Sequence, residues 1–345
     1  MIYVVYSSWT TYECPRGVHD PSPVIKISAN SRILLSLCSK KTRFTVKRFR
    51  DKTLELRLNL HGESRVGIHL FDSRNSENGV SFNIKSFSSP KTTWSTVRLG
   101  VKTLKFQVTA AGFDMFYKDQ RYGTQVLLEY ILDLFQKKVD SVFVMKHSFW
   151  MMGLVEKLQK GSSCEANILQ GNENNLFTDT EFWDILVRRS PKDLYISHNP
   201  SEKFQIDNFS KKYGILKIKN GHWLTIDNLL QLDCQQLEIT NSQFTGMEIN
   251  RFLKHWLAGG ATRLKTFSIQ LGINILNELF NDNFRKIPGE QVYQLAHGGV
   301  WIFNGGILRR DDGVMASFGV NFALGNAVNA VWPDFDGNSV KEIVE

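Results

Sequence analysis

The sequence predicts a mixed α/β chain: a mainly antiparallel β region, then β/α units that place parallel strands side by side. Three observations predict it. Residues 54–60 alternate Leu54, Leu56, Leu58 and Leu60 with polar neighbours, the period of a strand with one buried face. From residue 124 amphipathic helices alternate with short apolar strands, an order that closes into a parallel sheet. The frame anchor-x-x-aliphatic or aromatic-x-Ile then recurs at offsets of 20–30 residues.

With 345 residues, 42% of them hydrophobic and Phe alone numbering 24, the composition supports a large packed core and excludes a disordered chain. The net charge of +8 favours solubility and acidic partners without fixing a function. Cys14, Cys38, Cys164 and Cys234 stand far apart and form no CxxC pair, so a disulfide framework is not expected and a reducing compartment, cytosol or nucleus, is. The opening run MIYVVYSSW makes a poor signal peptide, and no stretch reaches the ~20 apolar residues of a membrane span, so no membrane partner is expected.

Residues 1–30, with Pro15, Pro21 and Pro23, read as an irregular segment. Residues 31–50 read as two short helices. Ile33, Leu34, Leu37 and Cys38 form the apolar face of the first; Ser39 caps the second, whose inner face is Thr42, Val46 and Phe49. Residues 51–123 read as the β region, with strands at TLELRLNL, RVGIHLF, GVSFNIKSF, STVRLGV and TLKFQVTA separated by polar turns. Residues 124–320 read as the β/α part. It opens with a helix burying Val126, Leu127, Tyr130, Ile131 and Leu134, followed by the strand VDSVFVM. Residues 321–345 read as a divergent tail.

The recurring frame occurs at Pro191-x-x-Leu194-x-Ile196, Tyr213-x-x-Leu216-x-Ile218, Cys234-x-x-Leu237-x-Ile239 and Leu264-x-x-Phe267-x-Ile269. Val139-x-x-Val142-x-Val144 fits it as well. One short strand per unit at this period is a leucine-rich-repeat-like signature, in which each unit must stack on its neighbours to bury its apolar face. The helices between are marked by capping boxes at Thr178-x-x-Glu181 and Thr245-x-x-Glu248, and by Thr225 without a Glu partner. Ile249, Phe252, Leu253, Trp256 and Leu257 make one stripe at helical spacing, and Gly259-Gly260 ends that helix. Asn220 and Asn241 follow the repeat Ile by two residues.

The run LEITNSQFTGMEINRFLKHWLAGGATRLKTFSI (237–269) resembles the type-2 F-box-associated domain of a nematode-expanded F-box family. LLEYILDLFQKKVDSVFV (127–144), WLTIDNLLQLDCQQLEI (223–239) and GGILRRDDGVMASF (305–318) resemble its opening, middle and closing hairpin. ILLSLCSKKTRFTVK (33–47) resembles the second half of that family's F-box, so the N-terminal F-box helices are incomplete. Where the first F-box helix belongs, CPRGVHDPSPVIKISANSR has neither a Leu-Pro pair nor a helical stripe. The resemblance implies a substrate receptor of a cullin-type ubiquitin ligase that docks on the Skp adaptor, holds a target protein through its associated domain, and performs no catalysis.

No HExxH, GxSxG, P-loop or GxGxxG is present, so no catalytic, metal or cofactor site is expected. Asp311-Asp312-Gly313 reads as a hairpin turn and His255 as a solvated side chain. The basic run KKTRFTVKRFR reads as an exposed helix face; nucleic-acid contact is the less favoured use, and an acidic adaptor a third. Candidate adaptor contacts are Leu34, Leu37, Cys38, Ser39 and Lys40. Candidate target contacts are the outward residues of the repeat strands: Tyr195, Ser197, Lys217, Lys219, Glu238 and Thr240, with Ser268 beside them. The alternatives are a stand-alone interaction module that has lost adaptor binding and a nucleic-acid-binding protein.

Overall fold

The structure is a computed structural model. It describes residues 36–37, 39–48, 56–62, 66–72, 75–86, 95–99, 102–109, 112–160, 164–171, 176–271, 285–286, 291–294, 300–303, 306–321, 326–332 and 341–342. The expected irregular segment 1–30 and most of the first N-terminal helix, including Leu34 and Cys38, lie outside these residues.

Among the described residues, one mixed sheet of 16 strands carries the fold. At its centre β1 (Leu56–Gly62), β7 (Ser141–Val144), β8 (Glu165–Ile168), β9 (Asp193–Ile196), β10 (Lys212–Ile218), β11 (Asp233–Ile239) and β12 (Thr266–Gln270) run parallel in that spatial order. On the β1 side follow β2 (Val66–Asp72), β3 (Asn75–Ser86), β6 (Gly112–Tyr117), β5 (Lys102–Thr109) and β4 (Ser95–Leu99), antiparallel except for the parallel β3–β6 pair. On the β12 side β18 (Asn326–Trp332), β17 (Met315–Asn321), β16 (Gly306–Arg309) and β13 (Arg285–Lys286) are antiparallel. A second sheet holds β14 (Gln291–Gln294), β15 (Val300–Phe303) and β19 (Lys341–Glu342).

The register explains why the frame recurs. Leu194, Leu216, Leu237 and Phe267 stand side by side, as do Ile196, Ile218, Ile239 and Ile269, all essentially buried. These rows continue through Ala166 and Ile168 of β8 to Val142 and Val144 of β7. Strand β8 escapes the sequence pattern because Ala166 fills the Leu position. Strand β6 is likewise an addition to the expected β region. The stretch 321–345 is more than a tail, since β18 inserts between β12 and β17.

The α-helices whose bounds lie among the described residues are α1 (Lys40–Arg48), α2 (Gln120–Phe135), α3 (Trp150–Gln159), α4 (Asp179–Arg188), α5 (Ile226–Gln231) and α6 (Gly246–Leu257). The last four lie in the crossings of the parallel strands. Caps fix where they begin: Thr178 and Thr245 each accept from the Glu backbone N–H three residues on, and each Glu accepts in return from the Thr backbone N–H. At Thr225 the reciprocal acceptor is the Asn228 amide oxygen, so the box closes without a Glu. Gly259 sits at φ 91°, the left-handed turn that ends α6. The β9–β10 crossing has no helix; Phe204, Ile206 and Phe209 of that segment fill the core instead.

Helix α1 is capped by the Ser39 hydroxyl, and Thr42 and Val46 are half-buried, as the sequence indicates. Arg43 and Lys47 turn toward α2, where they bond Asp133 at 2.5 and 2.7 Å, and the Arg43 guanidinium lies 4.6 Å from the centre of the Tyr130 ring. Val46 packs against the core, while Thr42 is tied to Ser39 and Phe44 is 65% exposed. An acidic partner on α2 thus adds to the apolar contact of Val46. Phe49 lies outside the described residues.

Candidate protein-interaction surface

Strand alternation sends one set of side chains toward the helices and the other to the opposite, outer face. There, register aligns His61, Phe143, Asn167, Tyr195, Lys217, Glu238 and Ser268 in a row across seven strands. All but Ser268 are half-exposed.

At the β1 end the row is aromatic and uncharged. The His61 ring stacks on Phe143 with centroids 4.4 Å apart and meets the His69 ring edge-on at 4.6 Å. His69 Nδ1 lies 2.8 Å from the Ser81 hydroxyl. Burial lowers the His61 pKa to about 4, with the neighbouring His69 adding to the effect, and burial lowers His69 too. Both rings are therefore neutral at pH 7. Sequence reasoning missed this cluster, although parity gives the signal: Phe143 lies between inward Val142 and Val144, and His61 follows inward Leu60.

At the centre, the Tyr195 hydroxyl is held neutral, its pKa pushed up to about 12 by burial and then by Glu165, Asp193 and Glu238. Lys217 pairs with Glu238 at 2.8 Å, and its ammonium stands 6.0 Å from the centre of the Tyr195 ring. The pair cancels much of the charge the sequence offers a partner. Lys219 is exposed. The Thr240 hydroxyl donates to the Lys219 carbonyl at 2.6 Å, and the Ser197 carbonyl accepts from the Asn220 amide. Asn241 in turn donates to Asn220, so amides link the strand ends. Ser268 is not part of an open surface: it is 7% exposed and stands beside buried Val328 of β18.

Of the adaptor candidates, Leu37 packs into the core, Ser39 is engaged in capping and Lys40 is exposed. His255 is half-buried, its ring covering Gly260 so closely that a Cβ there would come within 2.0 Å of it. Asp311-Asp312-Gly313 forms the β16–β17 turn, with Gly313 at φ 90°. Among the described residues no three His, Cys, Asp or Glu side chains gather as a metal site, and no helix is long and apolar enough to cross a membrane.

Residues 201–269 match the family described as F-box associated. The F-box-associated match begins in the helix-free crossing and takes in β10, α5, β11, α6 and β12. These elements carry Lys217, Lys219, Glu238 and Thr240, whereas Tyr195 and Ser197 adjoin the match. No curated protein and no solved structure matches the chain.

Proposed function

We propose that the chain is the non-enzymatic target-recognition subunit of a Skp–cullin–F-box ubiquitin ligase, with the target protein held on the outer sheet face. The F-box-associated match is the observation that carries this reading. The face has the anatomy of an interface: an uncharged ring cluster of His61, His69 and Phe143, flanked by the phenol of Tyr195 and the Lys217–Glu238 pair. Residues 31–50 would meet the adaptor, with Lys40 and exposed Phe44 among the groups offered to it.

The deciding experiment is purification of the tagged full chain from cells. The ligase reading expects Skp adaptor and cullin to accompany it; clean recovery without them removes the ligase role. A second reading, a stand-alone interaction module, draws support from Leu37 and Ser39, both engaged within the chain itself. It expects target without adaptor. Adding a complete first F-box helix then tells whether adaptor binding is restored.

A further inference from the structure

We propose that His198 is an acid-operated latch: its neutral ring holds the helix-free crossing between β9 and β10 closed, and protonation opens that crossing. The inference stands on the packing of the ring and does not depend on the ligase reading.

His198 follows β9 by two residues, the position that Asn220 and Asn241 hold after β10 and β11. Those two amides face one another and bond. The His198 ring instead enters the core. It is 0% exposed, lies 5.3 Å from the Phe177 ring and 5.0 Å from the Phe182 ring, and neither ring nitrogen has a hydrogen-bond partner among the described residues. Phe182 also meets Phe204 and Trp223, so the imidazole is one wall of the aromatic cluster that anchors the crossing. A neutral imidazole is tolerated in that slot; an imidazolium without a partner is not.

The release route is visible nearby. Among the described residues the charged and titratable groups on the surrounding elements are Asp179 and Glu181 of α4, Lys146, which pairs with Glu181 at 3.7 Å, and Glu202, Lys203, Asp207 and His222 on the loops. Asp179 is the group whose charge reaches the ring. Asp179 also fastens the crossing, accepting from the Ser201 hydroxyl at 2.5 Å and the Ser201 backbone N–H at 3.2 Å. A protonated His198 competes for that carboxylate or leaves for water, and either course loosens residues 199–211. Tyr195 and Ser197 lie immediately before the crossing, so its opening disturbs the outer face.

Burial lowers the pKa of the ring from 6.5 to about 4, against a smaller opposing pull from Asp179. The open form therefore binds a proton that the closed form refuses between these two values. Opening becomes more favourable as pH falls through that window, by roughly tenfold per unit.

Hydrogen exchange on the full chain at pH 7 and pH 5, corrected for intrinsic rates, tests the latch. Opening of residues 199–211 is expected to rise by roughly 20-fold from pH 7 to pH 5, and His198→Phe or His198→Met to abolish the rise. Amides of β1 and β2 report separately on His61 and His69. Equal protection of 199–211 at both pH values, a directly measured His198 titration near 6.5, or an unchanged acid response in the variants would overturn the proposal.

Discussion

The Arg310 guanidinium lies over the Trp256 indole, 5.5 Å from the ring centre. Arg310 also pairs with Asp312 at 2.7 Å in the β16–β17 turn, and its end reaches the space beside Gly259 at the C-terminus of α6. A closing hairpin is thus fastened to the helix that the repeat frame specifies most fully. Trp256 is 1% exposed, and replacing it by Ala is expected to cost roughly 3–5 kcal/mol through the cavity left behind. Arg310→Ala should cost about 1–2 kcal/mol, the worth of a desolvated cation over an indole. Denaturant unfolding measures both. A Trp256→Ala change near zero would contradict the stacked arrangement of β11, α6 and β12.

Gly62 closes β1 against the turn at Ser148. A Cβ there would lie 2.1 Å from Ser148 Cβ and 2.6 Å from the Met151 methyl, while the Ser148 hydroxyl donates to the Gly62 carbonyl. Gly62→Ala should therefore destabilise by roughly 1–3 kcal/mol, because backbone and a short side chain must both shift. Combining it with Ser148→Gly should recover part of that loss. Failure of the second change to help would show that Met151, not Ser148, sets the limit.

The capping boxes make a graded comparison. Thr178→Ala and Thr245→Ala each remove an acceptor for a helix-start N–H and the return bond geometry of a Glu, and each should cost about 1 kcal/mol. Thr225→Ala should cost less, since its partner Asn228 also donates to the Ile206 carbonyl and stays anchored. Thermal or denaturant unfolding of the three single variants gives the order.

Local rules account for much of this architecture. The Leu and Ile columns, the three Thr caps, the Gly259 stop and the Gly313 turn each follow from such a rule, and each lies where that rule puts it. Strand β8 is not legible in the sequence because Ala166 breaks the frame, and the β1–β7 pairing is not because register between distant segments leaves no local mark. The ion pairs that fasten α1 depend on Asp133, 86 residues beyond Lys47, and no helical period predicts that attraction. On the outer face, outward parity places Tyr195, Lys217 and Glu238 correctly. It does not show that Lys217 and Glu238 pair with each other, or that Ser268 is covered.

Asp133 gives a pH prediction whose sign is fixed by its partners. Burial alone would raise its pKa, but the hydrogen bonds and charges of Lys47 and Arg43 outweigh that and hold it below 3.8. The folded state thus favours the carboxylate. The resulting stability is present above the ordinary carboxylate value and is lost as pH falls through the lowered one. With Asp133 39% exposed, solvent screening keeps the effect small, and Asp133→Asn should cost no more than about 1 kcal/mol at pH 7. Once the pH lies well below the lowered pKa of Asp133, the variant and the native chain should converge. A gap that persisted there would mean that the amide disturbs packing rather than charge.

The outer face can be divided by mutation because its two ends differ in chemistry. Lys217→Glu places two carboxylates side by side and breaks the 2.8 Å pair, whereas Lys217→Glu with Glu238→Lys restores a pair of reversed direction. If a partner reads charge here, neither variant should retain it; if the pair only keeps the sheet surface neutral, the double exchange should recover binding that the single change loses. Phe143→Ala removes the ring on which His61 stacks and should weaken capture of the co-purifying target by at least about tenfold if the ring cluster is the energetic centre. The measurement is quantitative recovery of the target with each full-length variant, alongside circular dichroism to establish folding. Target recovery unchanged in Phe143→Ala and Lys217→Glu, with both variants folded, would remove this face as the binding surface and leave the adaptor question untouched.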